Sequence, residues 1–161
     1  MTIDVREKIF EDQIEKELLN GGYVSRLAKD FDPVIALDIE LIIRFLKLSQ
    51  PESLEKLEGI YGLRIEDEIK RKLLEVLEDQ GILYVLRNGF RISNVHLYSV
   101  YFKPVSSRNL ELEANYNKNI LSVIRQAIYS KDNHGKRIDL LLSINGLPVA
   151  TAEIKNPATG Q

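Results

Sequence analysis

The sequence predicts an α/β chain of the α+β kind, helical in its first half and strand-rich in its second. Apolar residues recur at helical spacing through residues 1–80. After Gly81 the period shortens and turn pairs such as Asn88-Gly89 and Asn145-Gly146 punctuate the chain. Charge divides at the same place: residues 1–80 hold 12 Lys+Arg against 19 Asp+Glu, net −7, and residues 81–161 hold 10 against 5, net +5. A basic back half fits a surface that faces phosphate, although ordinary variation among solvated faces gives the same imbalance.

With 161 residues, 44% apolar and 29% charged, the chain has enough material for one core, and 1–161 is expected to form one domain. No apolar run approaches the 18 residues of a spanning helix, so no membrane partner is expected. Residues 1–7 lack the apolar stretch of a secretory leader, and there is no cysteine for disulfides or thiolate metal sites. Both features point to the cytoplasm. No phosphate-binding G-x-x-x-x-G-K-[ST] occurs, nor any internal repeat or low-complexity tract.

Taken in order, residues 6–19 place Ile9, Phe10, Ile14, Leu18 and Leu19 on one helical stripe that Asn20-Gly21-Gly22 ends. Glu7, Glu11 and Glu15 follow one another on the other flank, which reads as a solvated face unless one acid points into a site. Residues 36–48 read as a well-buried helix closed by Ser49-Gln50-Pro51. A short helix follows from Pro51 to about Tyr61, then an amphipathic one over 65–79 with Ile69, Leu73, Leu74 and Leu77 inward. Residues 82–87 are strand-like and Asn88-Gly89 reads as a tight turn, so a hairpin with Phe90–Ile92 is expected. Residues 95–102 read as a further strand stopped by Pro104, with His96 a satisfied residue rather than a ligand. Residues 120–129 fit a helix by spacing and a strand by β-branching, and periodicity does not decide between them. Residues 130–136 form a loop that, with Arg137, sets cations ahead of the next strand.

The chemistry concentrates in the last twenty-five residues. Strand 137–144 carries Asp139, and strand 147–155 ends in Glu153-Ile154-Lys155. Strand alternation puts Glu153 and Lys155 on one face, where burial would require a metal or a counter-charge. A two-residue Asn145-Gly146 loop pairs 139 with 152 and sends Asp139 to the face opposite Glu153. A three-residue loop with Gly146 in a bulge pairs 139 with 151 and brings the two acids together. A shared metal therefore calls for the odd-length loop or an equivalent bulge, and a regular two-residue turn counts against it. Two carboxylates and the Ile154 carbonyl suit Mg²⁺, which prefers oxygen ligands and would activate water at a phosphate, with Lys155 offsetting the charge that builds there.

The wording itself is familiar. Asn145-Gly146-Leu147-Pro148-Val149-Ala150-Thr151-Ala152-Glu153-Ile154-Lys155-Asn156-Pro157 closely resembles the nuclease motif of the R (HsdR) subunits of type I restriction–modification enzymes. Arg125-Gln126-Ala127-Ile128-Tyr129 and Arg137-Ile138-Asp139-Leu140-Leu141-Leu142 match it in order and spacing, as do Gly81 to Phe90 and Phe10 to Tyr23. The resemblance implies a restriction-endonuclease-like core of the PD-(D/E)xK class: a mixed sheet flanked by helices, acting on double-stranded DNA. It implies Asp139 and Glu153 as metal ligands and Lys155 as the catalytic lysine, with Glu11 and Gln126 as auxiliary residues. It favours a strand over 120–129. The same resemblance implies an ATP-driven complex with methyltransferase (M) and specificity (S) subunits, with ATP bound by helicase-like domains that this sequence does not contain. Family members continue into a Q-x-x-x-Y helix beside the site, so a chain ending at Gln161 is expected to be a fragment.

Overall fold

The structure, a computed structural model, describes residues 5–106, 109–130 and 136–155. Residues 131–135, which include Lys131 of the expected basic loop, and residues 156–161 of the C-terminal motif lie outside the described residues. The chain is α+β: a helical first half, a mixed four-stranded sheet and a small two-stranded one. Among the described residues no helix is long and apolar enough to cross a membrane. The chain divides into two compact units, residues 1–38, 121–144 and 148–161 in one and residues 39–120 and 145–147 in the other.

The first unit opens with helix α1, Val5–Asn20. It ends as the glycine pair suggests: Gly22 takes φ 95°, and Tyr23 N–H and Gly22 N–H donate to the carbonyls of Leu18 (3.0 Å) and Leu19 (3.1 Å). The buried face of α1 is not the apolar one. Ile9, Phe10 and Leu19 are exposed, whereas Glu11 is only 4% exposed. The acidic flank expected to be solvated is therefore the inward one, because the strands beside it supply donors: Ser25 Oγ donates to Glu15 at 2.7 Å, and further donors are described below.

Strand β1, Val24–Arg26, pairs parallel with a strand that follows much later, Leu121–Ile128, β4 once the intervening strands are numbered. That strand pairs antiparallel with β5, Arg137–Ile144, which is flanked in turn by β6, Leu147–Ala152. The open choice over 120–129 resolves to strand. With neighbours on both edges, β4 buries Val123, Ile124 and Ala127, a setting that suits β-branched side chains. Ile124, Ala127 and Leu141 pack against Phe31, with Ala28 beside them. Ser122 and Ser143 are direct cross-strand partners whose hydroxyls hydrogen-bond, so neither is buried unsatisfied. Arg26 forks onto the buried carboxylate of Asp38, Nε to Oδ2 at 2.7 Å and one terminal nitrogen to Oδ1 at 3.0 Å.

In the second unit, helices α2 (Ile39–Ser49), α3 (Pro51–Tyr61) and α4 (Ile65–Gln80) fall close to the expected spans. Their core residues include Leu41, Ile42, Phe45 and Leu46, then Leu54 and Leu57, then Ile65, Ile69 and Leu73. Gln50, ahead of α3, is buried and pairs with the Tyr98 backbone through both ends of its amide.

The hairpin expected over 82–92 is overturned. Ile82–Asn88 is helix α5, which buries Val85 fully and Ile82 and Leu86 in part, a helical rather than alternating pattern. Seven mostly apolar residues carry no period that separates the two structures. The Asn88-Gly89 pair closes this helix instead of turning a hairpin: Gly89 has φ 65°, and its N–H donates to Val85 at 2.8 Å. The two-stranded sheet forms beyond it, from β2 (Phe90–Ile92) and β3 (Val95–Leu97), so the strand expected to reach residue 102 stops at Leu97. His96 is satisfied, its Nε2 lying 2.7 Å from the Asn88 carbonyl. Helix α6, Leu110–Tyr116, has no counterpart in the sequence reading; Asn109 starts it by accepting from the N–H groups of Glu111 and Leu112.

Gly89 combines a left-handed backbone with a steric limit, since a Cβ there would run into the Leu97 carbonyl. Gly89→Ala is expected to destabilise the chain by about 2–5 kcal/mol in urea titration, the sum of left-handed strain and overpacking. A loss near zero would contradict this close approach.

Candidate active site

Asp139 lies on β5, as expected, separated from Glu153 in the chain by the end of that strand, one turn and β6. Asn145 and Gly146 have φ 53° and 87°, both left-handed, which makes a two-residue type I′ turn between Ile144 and Leu147. The expected three-residue loop is thus overturned. Asn145 is the reason: it is 1% exposed, its Oδ1 accepts from Ile120 N–H at 2.7 Å, and its Nδ2 donates to the Ser99 carbonyl at 2.8 Å. Its backbone N–H donates to the Ile120 carbonyl as well. This network holds an asparagine in the left-handed region, which its side chain tolerates better than most.

Regular strands leaving such a turn would send Glu153 to the face opposite Asp139. They do not continue that far. β6 ends at Ala152, so alternation no longer governs the next residues. Ile154 N–H donates to Asp139 Oδ2 at 2.7 Å, and the Glu153 and Asp139 carboxyls come within hydrogen-bond reach of each other. The expected acid pair forms by a different route from the one its spacing suggested. Glu153 and Lys155 are exposed rather than buried in a strand.

The Glu153 carboxyl is held above the ordinary carboxylate range. Partial desolvation contributes most, then the negative charge of Asp139 and a hydrogen bond with it, while Lys155 opposes the rise. The charge of Asp139 thus acts on Glu153, and the lysine is near enough to be felt.

The auxiliary pair named from the sequence converges on the same carboxylate. Gln126 Nε2 donates to Asp139 Oδ1 at 3.2 Å and to Glu11 Oε1 at 3.0 Å. Glu11 in turn accepts from Arg125 at 3.0 Å, and Arg125 also bonds Glu15 at 3.2 Å and Asp12. Burial disfavours charge on Arg125, but its bonds to Glu11, Asp12 and Glu15 outweigh this and hold its pKa above the ordinary arginine value. Among the described residues no group of three or more His, Asp or Glu side chains is placed to hold a metal. A metal here would rest on Asp139, Glu153 and the Ile154 carbonyl, with Glu11 already committed to Arg125 and Gln126.

Sequence reasoning assigned no role to Arg125 or Asp12 and read Glu15, with Glu7 and Glu11, as a solvated flank unless one acid pointed into a site. One signal was available: acids at i and i+4 on an amphipathic helix need a cation if that flank turns inward, and Arg125 sits directly before Gln126. Arg125→Ala would leave Glu11 buried without its charge partner. The expected loss is about 3 kcal/mol by urea denaturation, with Arg125→Lys recovering only part because an ammonium lacks the guanidinium fork. An unchanged midpoint for Arg125→Ala would contradict the cluster.

A family model described as the type I restriction enzyme R protein N terminus matches residues 10–161, nearly the whole chain. No curated protein and no solved structure matches. By that match the chain belongs to the family of type I restriction enzyme R protein N-terminal regions.

Proposed function

We propose that the chain is a Mg²⁺-dependent endonuclease domain that hydrolyses phosphodiester bonds of double-stranded DNA. The observation that carries it is the meeting of Asp139 and Glu153 at the Ile154 amide, with Lys155 next in the chain. Family membership supports a setting in a type I complex that contacts DNA, with methyltransferase and specificity subunits as partners, ATP-driven translocation supplied elsewhere in it and a cytoplasmic location.

The donor set fits a hard divalent cation: two carboxylates, Glu153 raised by partial desolvation and then by the Asp139 charge, and an amide carbonyl, all oxygen. Asp139, Glu153 and the Ile154 carbonyl would hold it. When bound, such an ion supplies Lewis-acid activation of water and neutralises charge on the phosphate. The remaining work falls to the chain itself. Gln126 and the Ile154 N–H fix both oxygens of Asp139, so the carboxylate meets its load already oriented. Lys155 brings positive charge to the attacked phosphate and a donor for the incoming water.

A second reading, a nuclease fold that binds DNA or partner subunits without cutting, is favoured by one fact: among the described residues no third carboxylate is free at the pair. Supercoiled plasmid separates the two. With Mg²⁺ the chain is expected to nick it, EDTA to stop nicking, and Asp139→Ala and Lys155→Ala to slow it at least about 100-fold. Equal nicking by the variants would contradict the assigned roles. No nicking by the parent chain, together with retained DNA binding, would favour the non-cutting module.

A further inference from the structure

Residue 126 is the one place where β4 departs from strand geometry. Its φ is 52°, left-handed for a residue that has a Cβ. The pairing with β5 is nevertheless in the same register on both sides, Arg125 opposite Leu140 and Ala127 opposite Ile138. No residue is inserted, so this is not a bulge; the ladder simply lapses where Gln126 faces Asp139. Adjacent strand residues should point to opposite faces. Yet Arg125 and Gln126 reach the two oxygens of the same Glu11 carboxylate, each at 3.0 Å. The left-handed residue makes this possible by rotating the Gln126 side chain toward α1.

The consequence falls on Asp139. Both hydrogens of the Gln126 amide nitrogen are used, one on Glu11 and one on Asp139 Oδ1. The reverse orientation of the amide would set its oxygen against two acceptors, so the chemistry fixes which end faces the acids. Glu11, nearly buried and gripped by Arg125, makes a rigid anchor. A strained backbone that aims a side chain at a candidate ligand is a reason to look for function at that side chain.

We propose that Gln126 is a positioning residue: its left-handed backbone sets the carboxamide between Glu11 and Asp139 and so fixes the orientation in which Asp139 receives a divalent cation with Glu153. The proposal rests on the cation reading of that pair and deepens it. Outer partners of this type typically tune metal affinity 10–100-fold.

Calorimetric titration of the 161-residue chain with Mn²⁺ and with Ca²⁺ tests it, using Gln126→Gly, Asp139→Ala and the parent. Glycine accepts φ 52° without strain, which offsets part of the two lost hydrogen bonds, so Gln126→Gly is expected to remain folded through the titration, as its melting curve checks. It is expected to bind Mn²⁺ about 10–100-fold more weakly even so, a loss that a merely structural role would not produce. Parent-like affinity in Gln126→Gly with loss in Asp139→Ala would overturn the positioning role and leave the cation site standing. Parent-like affinity in Asp139→Ala would overturn both. A second measurement needs no variant: the side-chain amide protons of Gln126 are expected to shift in the NMR spectrum of the parent chain as Ca²⁺ is added. Their failure to move while Ca²⁺ binds would also overturn the role.

Discussion

Asp139 is held at both ends. One carboxylate oxygen accepts from the Gln126 amide and the other from the Ile154 backbone, and each of those donors belongs to a segment that has left regular strand structure. Most of what sets this site apart from an ordinary sheet follows from that clamp. It ties β5 to α1 through Gln126 and Glu11, and to the chain beyond β6 through Ile154. It also sets Glu153, the neighbour of Ile154, near Asp139, where partial desolvation and then the Asp139 charge raise the Glu153 carboxyl.

A sheet is a poor device for collecting side chains from successive positions, because alternation sends neighbours apart. This chain keeps the ladder regular where the core needs it, from Leu121 opposite Ile144 to Ile128 opposite Arg137, and breaks regularity at single residues. Gln126 turns without shifting register, and β6 stops one residue short of its acid. The Asn145-Gly146 turn, by contrast, is as short as a hairpin allows, and its buried asparagine keeps it so. The two acids meet because the strand ends, not because the loop is long.

Much of this was legible in the sequence, and the failures have physical causes. Long amphipathic runs marked α2, α3 and α4, since each buries a stripe at helical spacing. The acid strand was legible through its unbroken apolar partners on either side of Asp139. Helix α5 was misread because Ile82 to Leu86 has no polar residue to report a period, and because a glycine after an asparagine serves a helix end as well as a hairpin. The inward face of α1 was misread because burying Glu11 depends on Arg125, more than a hundred positions away. The Asp139–Glu153 encounter was expected from spacing but derived from the wrong loop: parity arguments hold only while a strand lasts, and sequence does not mark where pairing stops.

The most direct measurement is a crystal structure of the chain soaked in Mn²⁺, read by anomalous scattering at the manganese edge. The expected result is a peak bounded by the Asp139 and Glu153 carboxylates, with Gln126 still bonded to Asp139. A peak elsewhere, or no peak with the two carboxyls still paired with each other, would contradict the claim that this clamp presents a cation site.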